Sequence, residues 1–61
     1  MTFTLTKTNE NPQKIQTPLT FKQWLSIHFA AWGFYKIVQD SPKRYFILNS
    51  FTGELEYTIT K

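Results

Sequence analysis

The spacing of hydrophobic positions changes character along this chain. In TFTLTK, Phe3 and Leu5 alternate with threonines, the period-two pattern of a half-buried strand made of β-formers. Residues 1–8 are therefore predicted to be a strand. The next stretch, residues 9–19, is polar, holds Pro12 and Pro18 and has no period, which predicts a loop or extended arm.

At residue 20 the spacing lengthens. Thr20 followed by Gln23 matches a capping box, and Leu19 and Trp24 occupy the two positions of a hydrophobic staple. Thr17 with Pro18 in the first turn is an alternative start one turn earlier. From there Phe21, Trp24, Leu25, His28 and Trp32 recur every three or four residues, with Phe29 at the margin, and form one apolar stripe. Gly33 suits the left-handed conformation that ends helices. The pattern predicts a helix over residues 20–33.

Beyond Gly33 the period returns to two. FYKIVQ, RYFILN and ELEYTIT read as strands, separated by the turn chemistry of DSPK and SFTG. Residues 34–61 thus form a three-stranded antiparallel meander. If the second turn is a two- or four-residue loop, Phe46 and Leu48 share a face with Leu55, Tyr57 and Ile59, and that face meets the helix. Tyr45 and Ile47 then lie on the opposite face, near Lys36. The expected fold class is α+β in a single small domain: one amphipathic helix packed on a three-stranded antiparallel meander, with the N-terminal strand available to extend the sheet.

Length and composition narrow the function. A chain of 61 residues holds one core, and it has neither cysteine for disulfides nor enough histidine for a structural zinc site. Packing or a partner must supply the stability, and an aromatic share of 18% serves the first. Lack of disulfides in so small a chain fits the cytoplasm, and the first residues lack the pattern of a signal peptide. The most apolar window, residues 24–38, is interrupted by Ser26, His28 and Lys36 and is shorter than the roughly 20 residues of a spanning helix, so no membrane insertion is expected.

Chemistry is sparse. The single His28 has only Ser26 as a nearby hydroxyl, which points to another side of a helix, so His28 reads as a core residue. Ser41 and Ser50 belong to turns, and the acids Glu10, Asp40, Glu54 and Glu56 are isolated. The two glycines read as a helix terminator and a turn residue, not as a phosphate loop. No catalytic residue, metal site or cofactor is expected, and the chain is not expected to be an enzyme.

Binding is the better expectation. Tyr45 and Ile47 on an outward sheet face, Lys36 beside them and Phe51 at a hairpin tip make a surface for a protein partner, engaged through the sheet face, edge or tip. Ile27 and Ala31 on a second side of the helix add apolar surface. An adaptor or inhibitor role follows, and a homo-oligomer is compatible with the same surface. The alternative is a nucleic-acid-binding module in which Tyr45, with Phe34, stacks bases while Lys36, Lys43, Arg44 and Lys61 meet phosphates. A net charge of +3, spread along the chain, supports that alternative only weakly.

Overall fold

The computed structural model describes residues 1–30 and 33–61. Five strands form one antiparallel sheet: β1 (Thr2–Lys7), β2 (Gln13–Gln16), β3 (Tyr35–Ser41), β4 (Arg44–Asn49) and β5 (Leu55–Thr60), in spatial order β2-β1-β5-β4-β3. The expected α+β class holds, the meander β3-β4-β5 is present, and β1 joins it along β5. The stretch expected as an arm contributes the fifth strand. β2 pairs with β1 so that Ile15 stands opposite Phe3, after a turn in which Asn9 is left-handed (φ 69) and the Glu10 N–H donates to the Lys7 carbonyl at 2.9 Å. An edge strand with a single inward apolar side chain, Ile15, carries too little alternation to be read from QKIQ.

The helix starts as predicted. The Gln23 N–H donates to Thr20 Oγ1 at 3.2 Å and the Thr20 N–H to Gln23 Oε1 at 3.0 Å, the two reciprocal bonds of a capping box. Thr17 does not begin a helix; its Oγ1 accepts from the Leu19 N–H at 3.2 Å in the preceding turn. The α-helical part α1 is short, Phe21–Leu25, and continues as a π-helical turn over Ser26–Ala30. Wider winding needs an extra residue per turn. Phe29, five positions after Trp24, therefore enters the core, where regular α-winding would have brought His28.

This corrects the reading of His28, which is exposed, with its ring lying 4.4 Å from the Trp24 ring. Phe29 takes the buried place, 5.6 Å from Trp24, 5.2 Å from Tyr35 and 5.0 Å from Tyr57. The helix expected to reach residue 33 has its last described helical residue at Ala30; Ala31 and Trp32 lie outside the described residues. Gly33 has the left-handed φ of 70° expected of it.

A second one-residue insertion sets the sheet. Leu48 stands opposite Leu55, as a four-residue loop over residues 50–53 requires, but Ile47 stands opposite Tyr57 and Tyr45 opposite Ile59. Glu56 is the extra residue, a β-bulge. Because successive side chains alternate between faces, this slip reverses the assignment made by counting from the loop. Tyr45 and Ile47 face the helix, while Phe46 and Leu48 face away. Thr8, the residue after β1, secures the bulge: its N–H donates to the Glu56 carbonyl at 2.9 Å and its Oγ1 to the Leu55 carbonyl at 2.8 Å.

The core lies between α1, its π-turn and the inward sheet face, and comprises Phe3, Phe21, Trp24, Phe29, Ile47 and Ile59. Phe3 makes edge contacts with Phe21 at 5.4 Å and Trp24 at 4.7 Å, and Phe21 lies 4.9 Å from Tyr45. Edge-to-face pairs of this kind add about 0.5–1.5 kcal/mol each beyond the area they bury. A continuous run of aromatic contacts thus serves a chain too small for a large aliphatic core.

Candidate interaction surface

The run Tyr45–Leu48 is apolar at four successive positions, more than one sheet face can take. With Tyr45 and Ile47 inside, Phe46 and Leu48 must be outside. Pairing brings them together with apolar side chains of the neighbouring strands. Val38 stands beside Phe46, and Leu48 lies between Lys36 and Leu55. Toward the other edge the same face is built of threonines: Phe46 borders Thr58, which borders Thr6, and Arg44 borders Thr60, then Thr4 and Lys14. No described element lies over this face. It is apolar on its β3–β4 side and hydroxyl-rich on its β1–β5 side.

Two aromatic rings extend the apolar side at the end where β4 meets β5. Phe34 and Phe51 are 6.1 Å apart and are 53% and 78% exposed. Their loop is well tied: Asn49 Oδ1 accepts from the Phe51 N–H at 2.8 Å and the Thr52 N–H at 3.0 Å, and Ser50 Oγ donates to the Gly33 carbonyl at 2.9 Å. Gly53 supplies the left-handed turn residue, with φ 77°. Phe51 is therefore held outward by a hydrogen-bonded loop.

The residues singled out from the sequence divide between the two faces. Lys36 and Phe51 are exposed on the outer side. Tyr45 and Ile47 are not: Ile47 is completely buried and Tyr45 packs on Phe21, because the bulge at Glu56 turns both inward. The basic set divides as well. Arg44 donates from Nε (2.8 Å) and Nη2 (2.5 Å) to Asp40 Oδ2, and its guanidinium sits 5.5 Å from the Phe46 ring. Lys61 lies over Phe21 at 4.7 Å and Tyr45 at 5.8 Å, on the helix side. Lys43 occupies the β3–β4 turn. Lys36, Lys43, Arg44 and Tyr45 do not converge on one surface.

Val38, Phe46, Leu48 and Leu55 were missed as outer residues from sequence. The available signal was the unbroken apolar run in β4, which implied that some of it must face out without saying which part.

Elsewhere the described residues offer little chemistry. A cleft of about 660 Å³ beside the β1–β2 hairpin is lined by Leu5, Gln13 and Tyr57 among others, and its charged groups Lys7 and Glu10 are paired at 3.7 Å. No three potential metal ligands gather among the described residues, and none of their polar side-chain atoms is buried without a hydrogen-bond partner. No described helix is long and apolar enough to cross a membrane. No protein-family model, curated protein or solved structure matches the chain.

Proposed function

We propose that the chain is a non-enzymatic binding module, of adaptor or inhibitor type, that takes a protein partner onto the apolar half of its outer sheet face. The observation that carries this reading is the adjacency of Val38, Phe46, Leu48 and Leu55 on a face covered by no described element, continued by exposed Phe34 and Phe51. Contiguous apolar surface rimmed by polar groups is the usual mark of a protein-binding site. Lys36 at its border fits an acidic group on the partner, and the threonine rows offer hydroxyls to its rim.

Nucleic acid is supported less well. Its stacking residue, Tyr45, is committed to the core, and its cations are split between two faces, with Arg44 already engaged by Asp40. Affinity for phosphates grows with the number neutralised on one surface.

The test is affinity capture from the source organism with the wild-type chain and with Phe46→Ser/Leu48→Ser, alongside a titration with mixed DNA and RNA at low salt. A partner held by the wild type and lost by the variant is expected, with no salt-sensitive nucleic-acid binding. Equal capture by both chains, or nucleic-acid binding that weakens with salt, contradicts the reading.

A further inference from the structure

The geometry points to a second copy of this chain paired antiparallel along the free edge of β3, about a two-fold axis at Val38. The sheet has two edges, and they differ. β2 is four residues long and is bracketed by Pro12 and Pro18, which have no N–H to donate. β3 is seven residues long and carries no proline. The Ser50 N–H donates to the Phe34 carbonyl at 3.0 Å, so the Phe34/Ser50 position is a hydrogen-bonded one. By the alternation of an antiparallel ladder, Lys36 and Val38 also bond inward to β4, whereas Tyr35, Ile37 and Gln39 turn their N–H and C=O groups outward. That outward row is a template for another strand.

The outer-face side chains along this edge select the strand. In order they are Lys36, Val38 and Asp40: cation, aliphatic, anion. Laid antiparallel on itself about Val38, the row is its own complement. Val38 meets Val38 of the second copy, and Lys36 meets Asp40 of the second copy. In the same register the outward backbone of Ile37 pairs with that of Gln39 in the second copy, so ladder geometry and side-chain chemistry agree. An edge lysine ordinarily opposes strand addition. Here the register centred on Lys36 would set lysine against lysine, and the one centred on Val38 gives each lysine a carboxylate.

Asp40 is prepared for this contact. It is the extra residue of the β3 bulge, between Gln39 opposite Tyr45 and Ser41 opposite Arg44. Both hydrogen bonds from Arg44 go to Oδ2, which leaves Oδ1 without a partner among the described residues. Pairing also joins the two Val38–Phe46 strips across the axis into one outer face. The association belongs to the chain alone and does not depend on the protein-partner reading, so either can fail without the other.

The test is sedimentation equilibrium from low micromolar to millimolar chain, for the wild type, Lys36→Glu, Asp40→Lys and an equimolar mixture of the two variants, with circular dichroism as the check on folding. The wild type should dimerise with rising concentration. Each variant alone sets like charges opposite each other at both positions and should weaken dimerisation by about tenfold or more. The mixture restores an opposite-charge pair at both positions and should recover the dimer. A wild type that stays monomeric throughout, variants that dimerise as tightly as the wild type, or a mixture no tighter than its components would each overturn the inference. If Asp40→Lys fails to fold for want of its Arg44 contact, Val38→Lys takes its place by setting two ammonium groups face to face on the axis. Undiminished dimerisation of that chain would equally overturn it.

Discussion

Ile47 stands opposite Tyr57, although the loop between their strands, counted residue by residue from the Leu48–Leu55 pair, would set it opposite Glu56. One surplus residue in β5 thus decides that Ile47 is buried and Phe46 is not. The π-turn does the same on the other side of the core, exchanging His28 for Phe29. Both devices insert a single residue into a regular period, and both move an aromatic or aliphatic side chain across the boundary between inside and outside.

Deleting Glu56 should be tolerated. Leu55 faces outward and Tyr57 inward on either side of it, so its removal leaves a regular ladder with every other side chain on its present face. The expected cost is about 1 kcal/mol, from the lost Thr8–Glu56 bond. Deleting Thr58 instead should unfold the chain, because absorbing the bulge would set Glu56 in the place of Tyr57 in the core. Chemical denaturation of the two deletions checks this; equal damage by both would deny the bulge.

His28→Gln should change stability by no more than about 0.5 kcal/mol, as at other exposed positions. Phe29→Ala should cost about 3–5 kcal/mol as a buried aromatic truncation. A regular α-helix through residue 30 predicts the reverse order, and urea midpoints of the two variants decide between them.

Thr20→Ala removes the acceptor of the Gln23 N–H and should destabilise the fold by about 1 kcal/mol. Thr20→Asn keeps an acceptor and should recover most of that loss, as read by thermal unfolding. A Thr20→Ala chain with an unchanged midpoint would show that the cap contributes nothing.

These predictions also mark what the sequence made legible. Strand β1, the cap at Thr20, the left-handed glycines and the three meander strands each have a local cause, whether alternation, a capping pair or a turn residue, and each was readable. The two insertions have none. RYFILN is apolar at Tyr45, Phe46, Ile47 and Leu48 alike, so its inward face had to be inferred by counting from β5, and a bulge invalidates the count. Likewise Phe21, Trp24, Leu25 and His28 fit an α-stripe, and only the tertiary competition between Phe29 and His28 for the site beside Tyr35 and Tyr57 selects the wider turn. The outer apolar face was legible as a need for outward apolar residues on β4, but its membership followed from the register and came out shifted by one position.

That shift carries the whole account, since it assigns Ile47 to the core and Phe46 to the outer sheet face. The most direct measurement is the unfolding free energy of Ile47→Ala beside that of Phe46→Ala, adjacent residues on one strand. The register described here predicts a loss of about 2–5 kcal/mol for Ile47→Ala and about 1 kcal/mol for Phe46→Ala. A larger loss at Phe46 than at Ile47 would contradict it.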